Sequence, residues 1–268
     1  MADFDIIPKK RSLRQAAKYG ILRAMTDISG FGEWYEAFAD AVGGDPFKLL
    51  LEYAGTFAGA ISGIRLACGK RFDWFGAYVI GFVTALGGGT LRDAMLTVPP
   101  FWVKSPSYVV TTVVAFIAVF VFGRRFISER ITWFVFDTIS ISLFTVLGLE
   151  KALDHGFPAW CSVVMGVVTA VFGGVLRDVL INDVPLIFRK EIYATACLAG
   201  AALYIALLSL GFSETLCAVV CISAIFVLRA LAIRYSWSVP VLRGRPMHIH
   251  WGDQRHEGQA RPKGGRRP

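Results

Sequence analysis

The stretch VIGFVTALGGGTLRD, at residues 79–93, recurs as VMGVVTAVFGGVLRD at residues 164–178. The two stretches lie 85 residues apart, align without a gap and are identical at most of their positions. Self-similarity at a fixed period indicates that one structural unit occurs twice in the chain. Each stretch is mostly apolar and ends in Leu-Arg-Asp, so the same polar motif closes two equivalent apolar segments.

The same offset extends the match beyond these stretches and divides the chain into units. It pairs an acid, a glycine, a proline and a tyrosine of each copy: Glu52 with Asp137, Gly63 with Gly148, Pro100 with Pro185, and Tyr108 with Tyr193. We therefore predict a polar N-terminal extension with the spacing of a short amphipathic helix, a first repeat, a second repeat, a last apolar segment and a basic, disordered tail. Their ranges are 1–48, 49–130, 131–212, 213–235 and 236–268.

The composition indicates a membrane protein. Of the 268 residues 55% are hydrophobic and 18% are charged, whereas soluble domains are about 45–50% apolar and about 25% charged. Seven apolar runs approach the length of about 20 residues that a membrane span needs. They cover roughly 49–67, 74–91, 108–123, 132–149, 159–176, 192–211 and 214–233. The sequence thus predicts an all-α polytopic membrane protein with seven transmembrane helices.

The number of spans in each repeat sets their relative orientation. Each copy contains three predicted spans, and because three is odd the second copy enters the membrane from the opposite face. Two inverted three-helix repeats plus a seventh helix are typical of transport proteins, with the substrate path between the halves.

Consecutive glycines interrupt the middle helix of each repeat, at Gly87, Gly88 and Gly89 and at Gly173 and Gly174. Each glycine costs a helix about 1 kcal/mol relative to alanine, so we expect a kink, an unwound turn or a hinge in both helices. Freed carbonyls of an unwound turn can coordinate a cation where they face water. The alternative is a close helix crossing, for which glycine only makes room.

An arginine and an acid follow the glycines in each copy, as Arg92-Asp93 and Arg177-Asp178. Ionisable groups inside a span are costly, and they usually pair or line a polar path. We interpret the two pairs as the two mouths or gates of one ion path. If they instead lay at the level of the lipid headgroups, they would need no partner.

Charge predicts the topology and the partners. The chain carries a net charge of +8, and basic residues are concentrated in the tail and in the loops on the same side of the seven spans. The positive-inside rule therefore places the C-terminus in the cytoplasm and the N-terminus outside, although the N-terminal extension has a basic cluster of its own. In a plasma (inner) membrane protein such a tail favours contact with anionic lipids over nucleic acid.

The sequence offers no enzyme or metal signature. The five cysteines form no Cys-x-x-Cys pair, and His248 and His250 lie in the tail without further ligands. No phosphate-binding loop, dinucleotide fingerprint or nucleophile elbow is present. We therefore expect neither catalysis nor a cofactor.

The doubled motif resembles the prokaryotic trimeric intracellular cation (TRIC) channels, a family also labelled a glycine transporter domain family. The resemblance rests on GGGTLRD at 87–93, PPFW at 99–102 and GGVLRD at 173–178, and covers about residues 48–233. It implies a homotrimer of seven-helix protomers, each with its own potassium-permeable pore shaped by the glycine-containing helices. One departure is Phe172, which stands where the first copy has Gly87.

Three functions follow from these patterns. The first is a passive channel for monovalent cations, principally potassium. The second is a carrier of a small zwitterion such as glycine, because an arginine and an acid in one site suit a carboxylate and an ammonium group. The third, a scaffold or membrane enzyme without transport, gives no role to two glycine-interrupted helices.

Overall fold

The computed structural model describes residues 45–70, 72–122, 130–189 and 192–237, and this part of the chain is helical throughout its regular structure. Its helices are α1 (Pro46–Cys68), α2 (Trp74–Met95), the short α3 (Phe101–Lys104), α4 (Ser107–Val121), α5 (Arg130–Asp154), α6 (Ala159–Leu180), α7 (Ala194–Ser209) and α8 (Glu214–Arg234). A 3₁₀ turn, Leu186–Phe188, lies between α6 and α7. Nearly all of the N-terminal extension and of the basic tail lies outside the described residues, so the amphipathic helix and the disordered tail stay predictions.

Side-chain caps fix the start of several helices. Asp45 accepts a hydrogen bond from the backbone N–H of Phe47 at 2.9 Å, directly before Pro46 at the first helical position of α1. Asp73 accepts from the N–H of Gly76 at 2.7 Å at the start of α2. Such side chains satisfy the backbone donors that a helix start leaves without partners.

Four of the described helices are long and apolar enough to cross a membrane: α2, most of α5, α6 and α8. The apolar helices α4 and α7 have 15 and 16 residues, which is about 22–24 Å of helix against a hydrocarbon core of about 30 Å. Helix α1 has 23 residues but contains three charged residues, Lys48, Glu52 and Arg65. The all-α prediction is confirmed.

Equivalent helices of the two repeats pack in equivalent ways. Helix α1 packs on α2 and α5 packs on α6, while α1 also contacts α5 and α2 contacts α6. A Cβ on Gly63 would come within 2.9 Å of the Cα of Gly81, and one on Gly148 would come within 3.0 Å of the Cα of Gly166. Helix α8, outside the repeats, packs against α5 and α7.

Candidate functional site

Helices α2 and α6 cross at two glycines that are equivalent in the repeats. A Cβ on Gly88 would lie 2.0 Å from the carbonyl oxygen of Thr169, and one on Gly173 would lie 2.2 Å from that of Thr84. Cβ atoms essentially never come within 3.0 Å of another heavy atom. Both positions therefore require glycine, because the backbone of the opposite helix occupies the place of the side chain.

Of the kink, unwound turn or hinge that the glycines predict, the unwound turn is not found in this structure, and a kink or a hinge stays a prediction. Helix α2 runs without interruption through Gly87, Gly88 and Gly89, and α6 runs through Gly173 and Gly174. The alternative, close helix crossing, is what the structure has. Helix–helix packing at Gly88 and Gly173 offsets the low helix propensity of glycine.

The remaining glycines of the motif also make room for neighbours. A Cβ on Gly89 would come within 2.5 Å of the Phe101 ring, and one on Gly174 would come within 2.8 Å of the Tyr193 hydroxyl. Phe101 and Leu186, each following the proline of its repeat, are both buried. The motif glycines thus shape the contacts of α2 and α6 on several sides.

The first ion-pair cluster surrounds Asp93. Arg92 Nε donates to Asp93 Oδ1 at 2.8 Å, and Lys151 Nζ of α5 donates to the same oxygen at 2.7 Å. Arg92 and Asp93 are buried, with exposed fractions of 2% and 0%. Glu52 of α1 accepts a hydrogen bond from the hydroxyl of Tyr108, and this tyrosine ring contacts Phe101, over which the Arg92 guanidinium lies. We call Glu52, Arg92, Asp93 and Lys151 the first cluster.

The second ion-pair cluster surrounds Arg177. Its Nε donates to Asp178 Oδ1 at 2.9 Å, and its Nη1 donates to Asp137 Oδ1 at 2.9 Å. The same Nη1 also donates to Ser62 Oγ at 3.0 Å. Arg229 Nη1 of α8 donates to Asp137 Oδ2 at 2.8 Å. We call Ser62, Asp137, Arg177, Asp178 and Arg229 the second cluster.

The two clusters lie at different levels of the bundle. Lys151 of the first cluster and Asp137 of the second lie on the same helix, α5, fourteen residues apart, which corresponds to about 21 Å. The charged groups of the motif are buried and paired within the protein, unlike groups that lie free among lipid headgroups. Whether they line an ion path stays a prediction.

The motif aspartates also hold the chain that follows each helix. Asp93 Oδ2 accepts from the backbone N–H of Phe101 at 2.7 Å, and Asp178 Oδ2 accepts from that of Leu186 at 3.0 Å. In each copy the chain turns between the aspartate and this N–H group. The turns are at Thr97 and Asn182, which have φ of 56° and 57°. The Arg-Asp pairs therefore have a structural role in addition to any role in transport.

Two threonines near the crossing bond within their own helices. Thr84 Oγ1 donates to the carbonyl of Ile80 and Thr169 Oγ1 donates to that of Met165, both at 2.6 Å. Their hydroxyl protons are therefore directed to their own helices.

Sequence reasoning overlooked two cations of the clusters. The predicted fourth span, 132–149, ends before Lys151, and no motif of the sequence points to Arg229. The available signal was an arginine within the apolar stretch FVLRALA at 226–232, because an ionisable residue inside a span usually has a buried partner.

Comparison with known proteins shows what the chain is similar to. The family model described as Glycine transporter matches it twice, over residues 49–124 and 134–209. A UPF0126 membrane protein of Vibrio cholerae is 35% identical over 195 residues, 71% of this chain and 81% of the relative. The inner membrane protein YadS of Escherichia coli, of the same UPF0126 group, is 42% identical over 158 residues, 58% of this chain and 75% of the relative.

A solved structure has the same arrangement of helices. It is described as a TRIC trimeric intracellular cation channel orthologue from Rhodobacter sphaeroides, and it matches with a TM-score of 0.68 and 37% sequence identity. The match covers 71% of this chain and 98% of that one.

Proposed function

The chain belongs to the glycine transporter family of membrane proteins, in which the prokaryotic TRIC channels fall, and from this premise we propose that it is a channel for monovalent cations, principally potassium. The proposal places it in the inner membrane as a multi-pass protein. The matched relatives are membrane proteins, and the R. sphaeroides orthologue is a cation channel.

The observation that carries the proposal is the pair of buried ion-pair clusters at two levels of the bundle. Buried charges are expensive unless they are paired or line a polar path. A cation route running along α1, α2, α5 and α6 would meet the first cluster, the Gly88–Gly173 crossing and the second cluster in turn. The close crossing then corresponds to a closed constriction.

The clusters have the chemistry of gates. Asp93 binds two cationic side chains and so does Asp137, which offsets the charge of each carboxylate. An arginine bound in this way repels a permeating cation until it moves, whereas the released carboxylate attracts one. We propose that opening separates Arg92 from Asp93 and Arg177 from Asp137.

Two buried polar groups, one in the second cluster and one beside it, have unused hydrogen-bonding capacity. Among the described side chains, Arg177 Nη2 and the Tyr193 hydroxyl are buried without a hydrogen-bond partner. Buried polar groups are nearly always paired, so exceptions are often functional. This supports a polar route at this end of the bundle.

The architecture that we propose follows from the repeat. Two inverted three-helix repeats and α8 form each seven-helix protomer, the C-terminus lies in the cytoplasm and the N-terminus outside, and three protomers assemble with one route each. We infer the trimer from the similarity to the R. sphaeroides orthologue, a trimeric channel. Membrane lipids are the other partners that we expect.

Reconstitution in liposomes tests the function. With a potassium gradient across the liposome membrane, vesicles containing the protein should lose or gain potassium faster than protein-free vesicles, and the rate should rise without saturation as potassium increases. Protein-free vesicles with valinomycin are the positive control. A flux no faster than in protein-free vesicles would refute the proposal.

The same vesicles test the zwitterion carrier. Saturable glycine uptake without potassium current would show that the protein is a carrier and not a channel. The structure gives this function less support, because Arg92 and Arg177 already bind carboxylates of the protein.

A further inference from the structure

Arg229 brings a charge into the second cluster from outside the repeats. It lies on α8, is 2% exposed, and its guanidinium lies 4.8 Å from the ring centre of Phe134 and 4.7 Å from that of Tyr193. The faces of aromatic rings attract cations, so Phe134 and Tyr193 favour the Arg229 guanidinium at this position. The side chain is therefore held in one position by packing as well as by its ion pair.

Asp137 lies between two arginines. Its Oδ1 accepts from Arg177 at 2.9 Å and its Oδ2 accepts from Arg229 at 2.8 Å. Asp137 is 3% exposed, so both interactions occur away from bulk water. Arg229 consequently occupies the carboxylate oxygen that Arg177 leaves free.

The equivalent acid of the first repeat has a different partner. Glu52 accepts a hydrogen bond from the Tyr108 hydroxyl, whereas the equivalent Tyr193 does not bond to Asp137, and its ring lies against Arg229 instead. The α8 arginine thus replaces the tyrosine as a partner of the acid. This makes the two ends of the bundle different although the repeats match.

We propose that Arg229 sets the charge of the second cluster and so limits cation entry at that end of the route. With it, two arginines balance Asp137 and Asp178; without it, the cluster carries one net negative charge and Asp137 Oδ2 is available to a cation. Arg229 is a positioning residue, since it acts through Asp137. The inference rests on the proposed channel function.

Arg229→Gln tests the inference in planar-bilayer recordings of the full chain in symmetric KCl. We expect the potassium current entering from the end of the bundle that holds the second cluster to rise at least about fivefold. Fivefold is the order for one unit charge about 4 Å from an ion in water, and the effect is larger at a buried site. Current from the other end should change less, so the variant should rectify. Glutamine retains an amide donor for Asp137, which reduces the structural cost of the substitution.

Two further variants separate charge from structure. Arg229→Lys keeps the charge and should keep the rectification of the parent. Arg229→Gln combined with Asp137→Asn restores the balance and should return the rectification close to that of the parent. Asp137→Asn alone leaves one excess positive charge and should rectify in the opposite direction, which keeps the test valid if Arg229→Gln does not fold.

The outcomes distinguish this inference from the channel itself. If the parent protein passes no potassium, the proposed function fails. If the parent conducts but the charge-changing variants do not change rectification, or all variants lose current to the same degree, Arg229 is only structural and the inference is overturned.

Discussion

Gly88 and Gly173 are the residues at which the packing of α2 against α6 least tolerates a larger side chain. Each Cα faces a backbone carbonyl of the opposite helix, and a backbone cannot move aside as a flexible side chain can. Glycine is the residue that permits this approach. The cost in helix propensity is about 1 kcal/mol per glycine, which is smaller than the cost of separating two packed helices.

We therefore predict that Gly88→Ala strongly destabilises the protein. Overpacking typically lowers the free energy of unfolding by about 1–3 kcal/mol. The added methyl group would meet a backbone atom, so we expect a loss at or above the upper end of this range. The thermal unfolding midpoint in detergent should fall clearly below that of the parent.

Gly69→Ala is the matched control, because its Cβ would meet only the carbonyl of Leu66 at 3.4 Å, an ordinary contact. It should unfold within a few degrees of the parent. Equal stability of Gly88→Ala and Gly69→Ala would contradict the crossing described here.

At the scale of the element, the motif aspartates join each middle helix to the segment that follows it. Asp93 binds Arg92, Lys151 and the backbone N–H of Phe101. One carboxylate thereby orients the end of α2, the end of α5 and the start of α3.

Asp93→Asn should consequently destabilise the fold by about 3–5 kcal/mol, the range for breaking a buried ion pair by removal of one partner. The amide cannot accept from all the donors that meet the carboxylate. Denaturation in urea, followed by tryptophan fluorescence, measures the change.

Asp154→Asn provides the comparison, since Asp154 is an exposed partner of Lys48 at 3.4 Å. Exposed ion pairs contribute little, so its unfolding should match that of the parent. If Asp93→Asn unfolded at the same urea concentration as the parent, the first cluster would not stabilise α2.

The elements were largely predictable from the sequence, whereas their crossings were not. Apolar runs and the 85-residue offset are properties of local sequence, so helices and equivalent residues could be recognised directly. The contact of Gly88 with Thr169 joins helices from different repeats, and sequence spacing carries no information about which backbone lies opposite a glycine.

The candidate site was predictable only in part for the same reason. Arg92, Asp93, Arg177 and Asp178 stand out because the motif is doubled. Lys151 and Arg229 are not repeated, and they enter the clusters through contacts 58 and 92 residues distant in sequence.

For the whole molecule, the distribution of basic residues predicts the topology, with the C-terminus in the cytoplasm. A green fluorescent protein fused after the last residue should fluoresce, because it folds when it stays in the cytoplasm. Alkaline phosphatase at the same position should be inactive, since it requires export.

The reverse result, an active phosphatase and a dark fluorescent protein, would place the C-terminus outside and contradict the topology. In the proposed topology five spans, α4 to α8, separate the loop at Ser105 from the C-terminus. Because five is odd, fusions after Ser105 should give a dark fluorescent protein and an active phosphatase.

As a whole, the molecule should conduct potassium in preference to chloride. The reversal potential of single channels in planar bilayers under a KCl gradient measures this preference. We predict a current that reverses at the potassium equilibrium potential; reversal at the chloride potential, or no current from correctly folded protein, would contradict it.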